Sequence, residues 1–148
     1  MTPSRSLALA LLAPIVALSS VSLVGCAIGD ALQNERAAEF ATTADFVADG
    51  ERAAPWLPED ATGIRLRETP DADPAVLLAT TSTALDPARC VEVERRSGPV
   101  FSVEGAPDPF VESVFVCRDW AVIPADDGWY GWTPIHPDEQ AAAAEQGD

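Results

Sequence analysis

Two short runs, Trp120-Ala121-Val122-Ile123 and Trp129-Tyr130-Gly131-Trp132, flank Asp127-Gly128 near the end of the chain. Asp-Gly suits a two-residue type I′ turn, whose central residues both take positive φ and whose twist matches that of the adjoining strands. The pattern commits this region to a β-hairpin, which needs further strands or a helix to be stable in water. A turn at 127–128 sets Ile123 opposite Trp132 and Ala125 opposite Tyr130. Trp129 then shares the other face with Val122.

How the rest is held together depends on the compartment, which the amino terminus addresses. Met1 to Ser6 carries Arg5 as its only charge, and Leu7 to Val24 is apolar apart from Ser19, Ser20 and Ser22, with Pro14 in the middle. A positive start, an apolar middle and small residues at the cut mark a secretory leader. Its end, Leu23-Val24-Gly25-Cys26, reads as a lipobox, at which the leader is removed and Cys26 receives diacylglycerol. The competing reading is a retained transmembrane helix, because roughly 18 apolar residues just reach the spanning length. Pro14 and the serines weigh against it. Acyl chains supply about 0.8 kcal/mol per buried CH₂, so two or three make attachment durable without a basic patch.

Export gives the other two cysteines, Cys90 and Cys117, a role. A pair of thiols in an exported domain most simply forms one disulfide. In the chain-entropy account, closing a loop of about 28 residues disfavours the unfolded chain by roughly 3.5 kcal/mol. A redox pair or a zinc site fits less well, since there is no Cys-x-x-Cys and His136 is the only histidine.

The chain has 9 Lys+Arg against 24 Asp+Glu and a net charge of −15. Loss of Arg5 with the leader would leave eight arginines, for a net charge of −16. Such a surface repels nucleic-acid phosphates and anionic headgroups, which sets nucleic-acid binding aside.

Four segments follow: a lipoprotein signal peptide at 1–25, a lipidated and partly helical tether at 26–55, a globular domain at 56–136, and a disordered acidic tail at 137–148. In the tether, Asp30 is placed to cap a helix, Gly50 to end it, and Leu32, Phe40 and Phe46-Val47 recur near helical spacing. Within the domain, Ile64-Arg65-Leu66-Arg67 alternates as a half-buried strand, and Val76 to Thr81 pairs with it across a turn at Thr69 to Pro74. Asp86-Pro87 resembles a helix start, whereas Val91-Glu92-Val93-Glu94 alternates like a strand, so 87–94 stays open between the two. Residues 97–109 read as loop, and Phe110 to Cys117 as strand or buried helix, with Val111, Val114, Phe115 and Val116 favouring strand. The expected fold is a small α+β domain, an antiparallel sheet of four to five strands with one disulfide and an amino-terminal helical tether.

The functional-looking constellation is aromatic. Trp120, Trp129, Tyr130 and Trp132, with Trp56 as an optional further member, are the candidate ligand platform for sugar rings, a peptide or a partner. Against it stands a core role, because a small domain needs large side chains to bury enough area. His136 has no nucleophile in local context. Asp71/Asp73 and Asp126/Asp127 lack the spaced ligands of a calcium loop. No catalytic, metal or cofactor site is assigned.

Trp56-Leu57-Pro58-x-Asp60-Ala61-Thr62, Leu85-Asp86-Pro87-x-x-Cys90, Cys117-x-x-Trp120-x-Val122-x-Pro124 and Gly128-Trp129-Tyr130-Gly131-Trp132-Thr133-Pro134 resemble small exported lipoproteins of high-GC Gram-positive bacteria. The resemblance spans about 80 residues plus the lipobox. It implies a domain on the outer leaflet of the plasma membrane, facing the wall, and no catalytic residues. The expected function is therefore a membrane-anchored, non-catalytic lipoprotein that binds or scaffolds an envelope component. The alternatives are a wall glycan- or peptide-binding module and a small extracellular hydrolase.

Overall fold

The computed structural model describes residues 35–69 and 74–146. The leader, Cys26, the beginning of the tether, most of the 69–74 turn and the last two residues lie outside the described residues. Strands β1 (Arg36–Thr42), β2 (Thr62–Glu68), β3 (Ala75–Thr80), β4 (Val91–Glu94), β5 (Ser113–Cys117), β6 (Trp120–Ala125) and β7 (Gly128–Thr133) form one sheet. Its order is β1-β2-β3-β7-β6-β5-β4, antiparallel throughout. Two short helices, α1 (Thr43–Asp49) and α2 (Pro137–Gln146), complete it. The described residues are thus mostly sheet, with seven strands where the sequence suggests four to five.

Strand parity sorts the interior into two layers. Ile64, Leu66, Leu77, Trp120 and Val122 face one side, packed with Phe46 from α1 and with Trp56 and Ala61 from the following loop. Val76, Val93, Val114, Ile123, Tyr130 and Trp132 face the other. That second layer is covered by Phe101, Val103 and Val111 of the long 95–112 connection and by Ala142 and Ala143 of α2. The unbroken apolar run of β6 follows from this, since a central strand covered on both faces has no solvent side to alternate with.

Three segments differ from the sequence expectation. The first is 36–49, read as helical tether. Arg36–Thr42 is instead an edge strand, with Phe40 opposite Ile64, and the helix begins only at Thr43. Thr42 is its N-cap, accepting the Asp45 N–H at 3.2 Å, while Gly50 at φ 69° ends it, as the sequence suggested. The second is the tail. Pro137 to Gln146 is helical because Pro occupies the first helical position and acids the first turn. Glu139 then docks it: buried, it accepts the N–H groups of Arg96 (2.5 Å), Ser97 (2.7 Å) and His136 (2.9 Å).

The third is the hairpin register. The two-residue loop is Asp126-Asp127, so Ala125 faces Gly128, Ile123 faces Tyr130 and Ala121 faces Trp132. Neither aspartate nor Gly128 has positive φ. Gly128 is needed for a different reason: a Cβ there would strike the carbonyl oxygen of Ala79 on β3. The two-residue shift preserves parity, so Trp129 still shares its face with Val122. At 87–94, Asp86 organises a turn, its carboxylate accepting the Ala88 N–H and its carbonyl those of Arg89 and Cys90. Strand β4 follows.

Cys90 and Cys117 form the disulfide, with Cα atoms 4.3 Å apart. They sit one step beyond the Val91–Val116 pair and so close the end of the β4–β5 ladder.

Candidate functional site

Three of the four hairpin aromatics are interior. Trp120 and Tyr130 are 1% exposed and Trp132 is 0% exposed. Each polar edge has a partner: Trp120 Nε1 donates to Ala53 O (3.0 Å), Trp132 Nε1 to Ser97 Oγ (2.9 Å) and Tyr130 Oη to Phe101 O (3.3 Å). Burial also pushes the Tyr130 phenol up to about 12. These residues build the two cores, and the four-residue platform does not form. Trp56 is likewise buried, set edge-on to Trp120 at 5.9 Å between ring centroids. Its Nε1 is the buried side-chain polar atom without a partner among the described residues.

Trp129 differs. It lies on β7 between Ala79 and Pro124 and is half-buried. Its ring meets Phe115 edge-on at 5.9 Å, and its Nε1 donates to Thr83 O at 2.9 Å. Two anchors fix the orientation of an accessible ring, so a ligand stacking on it would lose little side-chain entropy. The ring borders an open cleft of about 750 Å³, walled by the hydroxyls of Thr62, Thr80, Thr81, Ser82 and Thr83 and by Asp60, Asp126 and Asp127. Asp60 accepts the hydroxyls of Thr81 (2.9 Å) and Thr83 (3.0 Å), which holds the 81–83 bend against the cleft floor. An apolar ring face amid many short donors and acceptors suits a polyhydroxylated or amide-rich ligand.

The sequence names Trp129 only as one member of an aromatic group, without these surroundings. A hydroxyl-rich run, Thr80 to Thr83, directly after an apolar strand was the available signal. The other sequence candidates have local roles. His136 is exposed, and its Nδ1 accepts the Asp138 N–H (3.1 Å) at the start of α2. Asp126 and Asp127 form the β6–β7 turn, and Asp71 and Asp73 lie outside the described residues, as does Cys26. Among the described residues no group of three His, Cys, Asp or Glu is placed to hold a metal ion.

The buried charges serve the scaffold. Glu68, 1% exposed, accepts Arg36 Nη1 at 2.9 Å and Arg52 Nε at 2.8 Å, tying β1 and the loop after α1 to β2. The Arg36 guanidinium is also paired with Asp49, which chiefly raises its pKa above the ordinary value. For Glu139 burial alone pushes the carboxyl upward. Donation from the Ser97 side chain and the three backbone N–H groups outweighs this and leaves it below the usual range.

Comparison with protein-family models, curated proteins and solved structures finds no match to this chain.

Proposed function

We propose that this chain is a non-catalytic binding module of the bacterial cell envelope, lipid-anchored through Cys26 at the outer face of the plasma membrane. Its Trp129 cleft holds a wall glycan or wall peptide. The observation that carries the reading is Trp129, an oriented and accessible ring in a hydroxyl- and carboxylate-walled cleft. The Leu23-Val24-Gly25-Cys26 motif supports the anchor, and a disulfide is compatible with an extracellular setting. The acidic surface favours neutral or cationic ligands over polyanions.

Two experiments test it. Titration with N-acetylglucosamine oligomers and with wall-derived peptides, followed by tryptophan fluorescence, should saturate for one of them. Trp129→Ala should abolish the change while preserving the melting transition. Saturable binding unaffected by Trp129→Ala, or no binding of either class, would refute the cleft. Separately, Cys26→Ala should release the protein from the detergent phase or leave it uncleaved; unchanged partitioning with normal processing would refute the anchor.

A further inference from the structure

Arginine usage among the described residues is almost fully committed. Among the described residues, Arg36, Arg52, Arg65, Arg67, Arg89, Arg95 and Arg96 each meet a carboxylate or a backbone carbonyl within 4.0 Å. Arg118 does not. In a protein of net charge −15, an arginine with no ion-pair partner among the described residues stands out, the more so with Asp119 beside it in the chain. Its backbone is unusual as well: φ is 63°, the one non-glycine residue with positive φ among the described residues. It occupies the two-residue loop Arg118-Asp119 between β5 and β6, where glycine would meet the conformational demand more readily. Backbone strain carried by a residue whose side chain makes no hydrogen bond or ion pair among the described residues invites a functional reading.

The side chain lines a cavity of about 520 Å³ together with Pro55, Trp56, Ala88, Arg89 and the disulfide residue Cys117. The walls are mostly apolar and the two charged members are both cationic. Arg89 is only loosely engaged, by Asp86 at 3.3 Å with both side chains more than half exposed, an ion pair of small worth. We propose that Arg118 and Arg89 form the mouth of a subsite for a single carboxylate carried on a small apolar body, such as a peptide carboxyl terminus. The guanidinium fork matches a carboxylate bidentately, and the Pro55 and Ala88 surface beside the buried Trp56 receives the apolar part. Phosphate polymers are disfavoured, because a chain of anions would meet the acidic remainder of the surface. This subsite is distinct from the Trp129 cleft and does not depend on it.

The experiment uses the full chain, ¹⁵N-labelled, and reads the Trp56 indole N–H signal during titration with N-acetyl-Ala-Ala, its carboxamide, hexanoate and inorganic phosphate. The dipeptide acid should shift Trp56 saturably, and the carboxamide should bind about tenfold more weakly, the loss of a charge-assisted hydrogen bond. Hexanoate matching the dipeptide acid would make the source a free acid, and weaker hexanoate binding a peptide terminus; both support the subsite. Arg118→Gln, which keeps the backbone demand, should weaken binding by a similar factor. Arg118→Gly should lose binding while raising the melting temperature, which separates the charge from the strain, and Trp129→Ala should leave it unchanged. A phosphate shift exceeding the carboxylate shift, equal binding of acid and carboxamide, or full binding by Arg118→Gln would overturn the proposal.

Discussion

Gly131→Ala offers the sharpest test of how the two layers are assembled. Gly131 lies on central strand β7, and a Cβ built there would sit 2.6 Å from Cζ2 and 3.1 Å from Cε2 of Trp56, and 3.3 Å from Cε3 of Trp120. The close contacts are ring atoms of buried side chains with no flexible end to swing away. Alanine in a strand would ordinarily stabilise by about 0.5–1 kcal/mol through lower unfolded-state entropy. Overpacking instead destabilises by about 1–3 kcal/mol, so a net loss of about 2 kcal/mol is expected. For a unit of this size that lowers the melting temperature by about 8 °C. The assay is urea denaturation in a double-mutant cycle with Trp56→Ala. Alone, Trp56→Ala should remove about 3–5 kcal/mol. In its background Gly131→Ala should become neutral or stabilising, with a coupling energy of about 2 kcal/mol. Additive effects, or a Gly131→Ala protein as stable as the parent, would show that Trp56 does not rest on the strand there.

Three further outcomes follow from the scaffold. Because Glu139 is depressed in the folded state, its stabilisation is complete above the unfolded carboxyl value of 4.5 and is lost as pH falls through the folded value. Glu139→Gln should therefore be destabilised at pH 7 by about 1–3 kcal/mol and much less at pH 3, by denaturant melts at both; an equal deficit would contradict the assignment. Glu68→Ala leaves Arg36 and Arg52 without their buried partner and should lower stability by about 3 kcal/mol, an unchanged urea midpoint being the contrary result. Cys90→Ser should lower stability by about 3 kcal/mol, and thiol titration of the intact protein should find neither cysteine free.

What the sequence disclosed divides along physical lines. Strands β2 and β3 were legible because their alternation or β-branched content is local, and the partnership of Cys90 with Cys117 because few alternatives existed. Strand β1 was not, since Arg36-Ala37-Ala38-Glu39 has helical composition and becomes extended only through long-range pairing with β2. Helix α2 could have been anticipated: Pro137, two acids and four consecutive alanines are helix signals, outweighed by the lack of large apolar residues. The turn lies at Asp126-Asp127 rather than Asp127-Gly128 because Gly128 belongs to β7, where its missing Cβ lets β3 approach, and not to a positive-φ turn position. What separates Trp129 from Trp120, Tyr130 and Trp132 depends on what covers each face. That is decided by the 95–112 connection and α2, whose docking no local pattern encodes.

The two borders of the sheet are secured unequally. Strand β4 has the disulfide at one end and the Glu139 clasp on Arg96 and Ser97 at the other, so it cannot peel away without breaking a covalent or multiply bonded link. Strand β1 is retained by its ladder to β2 and by Arg36. Amide exchange and limited proteolysis should therefore begin at the amino-terminal border, and under stress that border is where strand addition by a second molecule would start.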